Sequence, residues 1–415
     1  MLEVLAGVGR SGRTGGYRRD AWSGAELELR EWFRQEADAR GLDRHEDRNG
    51  NLWAWWGDPD SAPGVVTGSH LDSVREGGAF DGPLGVVSAF QAVDALRGRG
   101  FRPDRPLGIV SFSDEEGARF GVPCVGSRLL TGILPAERAR GLTGDDGRTL
   151  AEVLRANGRD PAGLGQDEET LKRIGVFVEL HIEQGRALTK PVGVAAAIWP
   201  HGRWRFDFRG TADHAGTTAL ADRDDPMLRY AQAVLAARQE AERLGVVATF
   251  GKVQVTPNNA NAIPSLVSAW LDARGADEQT VRHLVAALSE GQEVVCESWT
   301  PEVAFPALLR DRLAAIAGAA GAAGAAGDAA PILPTGAAGA AGDAGDAGDA
   351  APILPTGAGH DAGILASAGV PSAMLFVRNP TGVSHSPAEF AEPADCAAGV
   401  TALAAVLADL CGDAA

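Results

Sequence analysis

Gly64-Val65-Val66-Thr67-Gly68-Ser69-His70-Leu71-Asp72 and Leu107-Gly108-Ile109-Val110-Ser111-Phe112-Ser113-Asp114-Glu115-Glu116 decide the fold. Each is a short apolar, β-rich run that stops at a cluster of polar and ionisable side chains. Between them, residues 84–96 place Val86, Val87, Phe90 and Val93 at helical spacing. Strand, helix, strand in that order predicts a parallel sheet. Two later runs repeat the pattern. Residues 176–180 lead into His181-Ile182-Glu183-Gln184-Gly185, and residues 373–377 lead through a loop into Ser384-His385-Ser386-Pro387. Open parallel sheets bind ligands beyond the carboxyl ends of their strands. Here four strands deliver His, Asp or Glu to that one edge.

The chain is 415 residues long, which predicts more than one domain. A hydrophobic fraction of 45% is enough for a full core. The net charge of -17 opposes binding to nucleic acid, which rests on Lys and Arg neutralising phosphates. The four cysteines are scattered without a CxxC pair, so neither a thiolate zinc site nor a disulfide scaffold is expected. Residues 1–20 lack the apolar core of a signal peptide, and no stretch reads as hydrophobic enough to span a bilayer. A cytoplasmic protein with no membrane association is expected.

Residues 25–40 form another amphipathic helix pattern. Residues 194–305 read differently from the rest, with strand-like runs at 204–208, 246–255 and 266–273 alternating with helices at 227–244 and 277–288. This α+β segment interrupts the α/β unit, because the last strand of the parallel set lies beyond it. The expected architecture is a parallel-sheet (mixed) α/β domain sandwiched by helices, formed by residues 1–193 and 306–415, with an inserted second domain at 194–305. Residues 318–359 are low in complexity, and the ten residues 327–336 recur identically at 348–357. This tract reads as a flexible linker lengthened by repeat slippage, since doubling a surface loop costs only about 0.6 kcal/mol in closure entropy.

The chemistry lies in the polar clusters. Imidazole and carboxylate together suit borderline divalent ions such as Zn²⁺, Mn²⁺, Co²⁺ or Ni²⁺. His70, His181 and His385 sit at strand ends or just beyond, next to acidic residues. Asp81, where the glycine-rich 77–82 segment turns into a helix, is placed to bridge two ions. Glu115 and Glu116 point in different directions past their strand, so one can bind metal while the other takes the proton from the attacking water. Either assignment of the pair fits the spacing. Asp72 is placed to orient the His70 imidazole by a hydrogen bond.

These residues fall in a series of motifs: His70-Leu-Asp-Ser-Val, Gly78-Ala-Phe-Asp-Gly, Asp114-Glu-Glu-Gly-Ala-Arg-Phe, Glu179-Leu-His-Ile-Glu-Gln-Gly, Asp213-His-Ala-Gly-Thr-Thr, Asn261-Ala-Ile-Pro, Gly357-Ala-Gly-His-Asp-Ala and Ser384-His-Ser-Pro. In this order they resemble the allantoate amidohydrolase / N-carbamoyl-L-amino-acid hydrolase family, within the aminoacylase- and carboxypeptidase-like dinuclear metallohydrolases. The resemblance implies two divalent metal ions per subunit. His70 and His181 would hold one, Glu116 and His385 the other, and Asp81 would lie between them with Glu115 as general base. It implies further that residues 194–305 are a ferredoxin-like lid that also joins two copies into a homodimer. There His214 would stabilise the oxyanion, while Asn261 and Arg274 would hold a substrate carboxylate. Gln184, Gly359 and His360 are implied at the substrate as well.

His201 stands where many relatives carry Gln, close to the substrate, and this leaves the substrate open. The blocks 15–19 and 49–56 look closest to allantoate amidohydrolases, which release ammonia and CO₂ from allantoate to leave ureidoglycine. The alternative substrates are N-carbamoyl-L-amino acids, β-ureidopropionate or N-formyl amino acids. An inactive binding homologue is the alternative of another class, and the complete set of ligand positions argues against it.

Overall fold

The computed structural model describes residues 2–325 and 350–412. The chain forms two compact units. The larger comprises Met1–Ala197, Ala304–Thr356 and His360–Ala415, and the smaller Ile198–Val303 and Gly357–Gly359.

Among the described residues, the larger unit is built on a nine-stranded sheet. Its order is Asp43–Glu46, Leu52–Trp56, Leu107–Phe112, Gly64–His70, Ile174–Ile182, Ser372–Val377, Val192–Ile198 and Val303–Ala304, with Ile353–Thr356 also paired to Val192–Ile198. The four strands from Leu107–Phe112 to Ser372–Val377 run parallel. Leu52–Trp56 and Val192–Ile198 flank them antiparallel. The sheet is therefore mixed around a parallel centre.

Both faces of this sheet are covered. Alternate residues Val65, Ile109, Val178, Leu180 and Leu375 share one core with helices Gly24–Ala39, Pro83–Gly98, Ala307–Ala325 and Pro393–Cys411. The intervening Trp53, Val110, Phe112, Phe177 and Phe376 are buried as well. Burial on both sides is why these strands read as nearly continuous apolar runs. Helix Pro83–Gly98 starts at Pro83, whose fixed φ suits a first helical turn. Its Phe90 meets Trp32 and Phe33 at ring separations of 5.9 and 5.2 Å.

The tryptophans of Leu52–Trp56 lie on a strand, where Trp53 and Trp55 are buried and stack 6.0 Å apart. Two sequence expectations need correction. The 19-residue helix Pro393–Cys411 is long and apolar enough, by length and composition, to cross a membrane. Its apolar character arises from alanines distributed all round, and half of it is buried in the core beneath the sheet. The low-complexity tract is not linker throughout. Helix Ala307–Ala325 runs into it, as expected of an Ala-rich segment, and Ile353–Thr356 pairs as a strand. The Leu354 side chain lies over Gly193, and the Val194 amide donates to the Pro352 carbonyl at 2.8 Å. The first copy of the repeat, 327–336, lies outside the described residues.

The smaller unit follows the order β-α-β-β-α-β: His201–Arg209, Pro226–Leu244, Val247–Thr256, Leu266–Arg274, Glu278–Ser289 and Glu293–Thr300. Its antiparallel sheet is ordered 293–300, 201–209, 266–274, 247–256. Leu266–Arg274 alternates strictly between buried and half-buried residues, the pattern of a sheet covered on one face. Phe206, Phe208, Val267 and Leu271 pack there against Ala237, Ala241, Leu284 and Leu288.

Phe90→Ala removes a ring that joins two helices in the larger unit. A loss of about 3–5 kcal/mol is expected in the denaturant-induced unfolding of that unit, the usual cost of a core Phe→Ala truncation.

Candidate metal centre

The parallel register brings the first two imidazoles together. Gly68 pairs with Glu179, so two residues further on His70 stands beside His181, with ring centroids 5.9 Å apart. Both rings are buried. The Nδ1 of His70 lies 3.0 Å from the Asp72 carbonyl, and that of His181 lies 2.8 Å from the Ile182 carbonyl. A carbonyl can only accept, so each Nδ1 is the protonated donor. In the neutral ring this leaves a lone pair on Nε2, the form that binds metal.

Both Nε2 atoms face one oxygen of one carboxylate. Asp81 Oδ1 is 3.5 Å from His70 Nε2 and 3.2 Å from His181 Nε2. The other oxygen, Oδ2, is 3.4 Å from His385 Nε2, which is itself 3.7 Å from Glu116 Oε2. Among the described residues three candidate ligand groups occur: His70–Asp81–His181 and Asp81–Glu116–His385, which share Asp81, and Glu179–His181–His360. Asp81 is held in place by the turn at Gly82. Gly82 has φ of 82°, and a Cβ there would lie 2.4 Å from the His70 ring. His385 also has positive φ, 54°, which costs energy in a residue other than glycine and marks a loop held by its surroundings.

Among the described residues, His70 Nε2 and His181 Nε2 are buried without a hydrogen-bond partner. Orphaned lone pairs facing a carboxylate fit a cation between them. The surrounding field agrees. Burial would push Asp81 up, yet the imidazoles of His181, His385 and His70 hold it well below the ordinary carboxylate range. Burial would likewise lower His70 and His181, and the nearby carboxylates raise both against it, which is the response of the same field to a proton. Glu115 lies well above its ordinary value through burial, with Glu116, Asp361 and Asp72 adding to the shift against the pull of His70. Burial and Asp81 raise Glu116 too. A cluster of buried carboxylates destabilised by mutual repulsion suits positive charge of more than one unit.

Glu115 Oε2 stands 3.7 Å from His70 Nε2, and the thiol of Cys124 donates to its Oε1 at 3.4 Å. Asp72 meets the His70 imidazole through its backbone carbonyl, and its Oδ1 lies 3.6 Å from the same Nδ1. Its carboxylate also accepts the backbone amides of Glu115 at 3.1 Å and Glu116 at 3.0 Å. The Val74 amide donates to Glu116 Oε1 at 3.3 Å, which leaves Oε2 toward His385. Gln184 donates to Asp81 Oδ2 at 2.7 Å. His360 is buried, its ring 4.5 Å from that of His181, and the next residue, Asp361, accepts a hydrogen bond from Ser127.

The remaining sequence candidates belong to the smaller unit. His214 is exposed and pairs with Ala262, the neighbour of Asn261. The Gly216 amide donates to His214 Nδ1 at 3.0 Å, so the neutral ring carries its proton on Nε2. Arg274 grips Asp272 through two bonds of 2.6 and 2.8 Å and donates to the Gly357 carbonyl at 3.0 Å. His201 is buried with Nδ1 2.8 Å from the Trp199 carbonyl, and its Nε2 lies so close to Gly359 that a Cβ there would be 2.6 Å away.

Residues 66–409 match peptidase family M20/M25/M40. The chain belongs to that family. It is therefore a hydrolase, and its fold and ligand clusters agree with the metal-dependent members. An N-carbamoyl-L-amino acid amidohydrolase of Geobacillus stearothermophilus is 34% identical, with 97% of this chain and 96% of the relative covered. An allantoate amidohydrolase of Escherichia coli is 29% identical over 95% of this chain and 93% of its own length. Among solved structures, an amidase of the hydantoinase/carbamoylase family from Burkholderia vietnamiensis superposes with a TM-score of 0.85 at 29% identity, covering 99% of this chain and 96% of that one.

Two buried carboxylates beside the candidate ligands escaped the sequence reading. Glu179 accepts Ser69 Oγ at 2.8 Å and the Ala362 amide at 3.0 Å, beside His181. Glu389 accepts the amides of Phe80 and Asp81, and burial raises it to about 7. An acid within a few residues of a candidate ligand was the available signal for both.

Asp72→Ala should free the amides of Glu115 and Glu116 without altering the sheet. Calorimetric titration of the metal-free variant with Mn²⁺ is expected to show affinity about 10–100-fold weaker, the usual cost of losing an outer-shell partner, with an unchanged far-ultraviolet dichroism spectrum.

Proposed function

We propose that this M20 hydrolase cleaves a ureido or carbamoyl C–N bond in a small carboxylate-bearing molecule, with two divalent ions at the centre. His70 and His181 would hold one, Glu116 and His385 the other, and Asp81 both. The observation that carries this reading is the division of labour on Asp81, whose two oxygens face two different sets of imidazoles. The ions, when bound, supply Lewis acidity and lower the pKa of water.

Glu115 takes the proton of the attacking water and returns it to the departing nitrogen. A carboxylate raised by burial is suited to both halves of that transfer. Water adds to the ureido carbonyl carbon, the C–N bond breaks and the nitrogen leaves protonated. His214, with its proton on Nε2, would donate to the oxygen that gains charge. Arg274, with Asn261, would take the substrate carboxylate, and since Arg274 already holds Asp272, the substrate would share its guanidinium with that partner. Gln184, Gly359, His360 and His201 would line the substrate. A homodimer formed through the smaller unit belongs to the same reading.

Allantoate is the first substrate proposed, giving ureidoglycine, ammonia and CO₂. The blocks 15–19 and 49–56 favoured it by likeness, but they are largely structural. Gly16 packs on the Glu76 backbone, and Leu52–Trp56 is a sheet strand. The higher identity to the N-carbamoyl-L-amino acid amidohydrolase favours a second reading, N-carbamoyl-L-amino acids.

Metal analysis should return about two divalent ions per chain, and a protein that stays metal-free and inactive with Mn²⁺, Zn²⁺, Co²⁺ or Ni²⁺ supplied would end the proposal. Glu115→Gln should keep its metal and lose about 10²-fold or more in kcat. Ammonia release from allantoate, measured beside turnover of N-carbamoyl-L-amino acids, N-formyl-glutamate and β-ureidopropionate, decides the substrate. Turnover of another member with none of allantoate excludes the first choice.

A further inference from the structure

Glu389 lies four residues after His385 and is buried. Its Oε2 accepts two consecutive backbone amides, from Phe80 at 2.9 Å and from Asp81 at 3.0 Å. Its Oε1 is 3.4 Å from Ser384 Oγ, and that hydroxyl is also 3.3 Å from Asp81 Oδ2. The fit is close from the other side as well. A Cβ on Gly78 would lie 2.2 Å from Glu389 Oε2 and 2.4 Å from its Cβ, so residues 77–82 are wrapped around this side chain. Two segments some three hundred residues apart in sequence are thus joined through one carboxylate. One segment carries Asp81 and the other carries His385.

The geometry has a mechanical meaning. A side chain can divide its two oxygens between two neighbouring sites only if its backbone is fixed against both. Glycines at 77, 78 and 82 leave the Asp81 segment with little intrinsic stiffness. Two consecutive amides bonded to one buried acceptor oxygen of Glu389 supply that stiffness from outside the segment. We propose that Glu389 is the positioning residue for Asp81: it ties the backbone of the 77–82 segment to the loop bearing His385 and so sets the spacing of the two cation subsites. The proposal rests on the metal reading of Asp81 given above.

The test uses the full chain, stripped of metal by chelation and titrated with Mn²⁺ by calorimetry. Glu389→Ala is expected to bind the more weakly held ion about 10–100-fold less tightly than wild type. Glu389→Gln keeps an acceptor for both amides and should stay within about threefold of wild type, a rescue that loss of charge alone would not allow. Gly78→Ala drives a methyl group into the same contact and should reproduce the Glu389→Ala loss. Hydrogen–deuterium exchange of the metal-free proteins reads the tether directly, and the peptide containing Phe80 and Asp81 should exchange faster in Glu389→Ala but not in Glu389→Gln. Equal affinities and equal exchange in Glu389→Ala and wild type would overturn the proposal, as would equal losses in the Ala and Gln variants. A wild-type chain that binds no Mn²⁺ overturns the metal reading instead, and accelerated exchange in Glu389→Ala would then still establish the tether.

Discussion

One carboxylate, Asp81, faces three imidazoles, and the larger unit is organised around the requirement that it do so. Two lone pairs aimed at Oδ1 and a third imidazole at Oδ2 form an arrangement that repels itself unless positive charge enters. Everything nearby resists relaxation. The imidazoles of His70 and His181 are pinned by backbone carbonyls, and the two glutamates after the Leu107–Phe112 strand are pinned through their amides by Asp72. The fold holds unfavourable electrostatics rigid, which is how a protein prepares a site for a cation without reorganising on binding.

Much of this was legible in the sequence for a physical reason. Strands buried on both faces must be apolar along their length, so each stands out where it ends in charge, as at His70 and Glu115. The adjacent Glu115 and Glu116 likewise could be separated in role because neighbouring residues project differently. The unread parts share a different property. Glu389 acts on amides far away in sequence, and no local pattern encodes that contact. Asp72 was read only as a partner of its near neighbour His70, and its bonds to the amides of the next strand's loop have no local signature. Leu52–Trp56 concealed its strand because tryptophan packs in any secondary structure, and Pro393–Cys411 lacks the polar stripe that would have marked it as amphipathic. Glu293–Thr300, with polar and apolar residues mixed at an edge, carried too weak an alternation.

The smaller unit shows a different kind of preparation. His214 has its tautomer set by a backbone amide, and Arg274 has its orientation set by Asp272. Both are polar groups whose direction is fixed by neighbours on the same short segments. His201, buried against Gly359, leaves no space for a side chain at that glycine, which makes the two positions interdependent in size.

The strand Ile353–Thr356 belongs to the second copy of a ten-residue repeat whose first copy has the same sequence. Sequence alone therefore does not single out the segment that pairs beside Val192–Ile198. Local side-chain energies cannot break that tie, because every pairing open to one copy is open to the other. What can break it is chain connectivity, through the span left to reach Asp361–Ser367 and the loop that bears His385. The two copies are equivalent in sequence, so what distinguishes the one that pairs is its distance along the polymer from Asp361–Ser367.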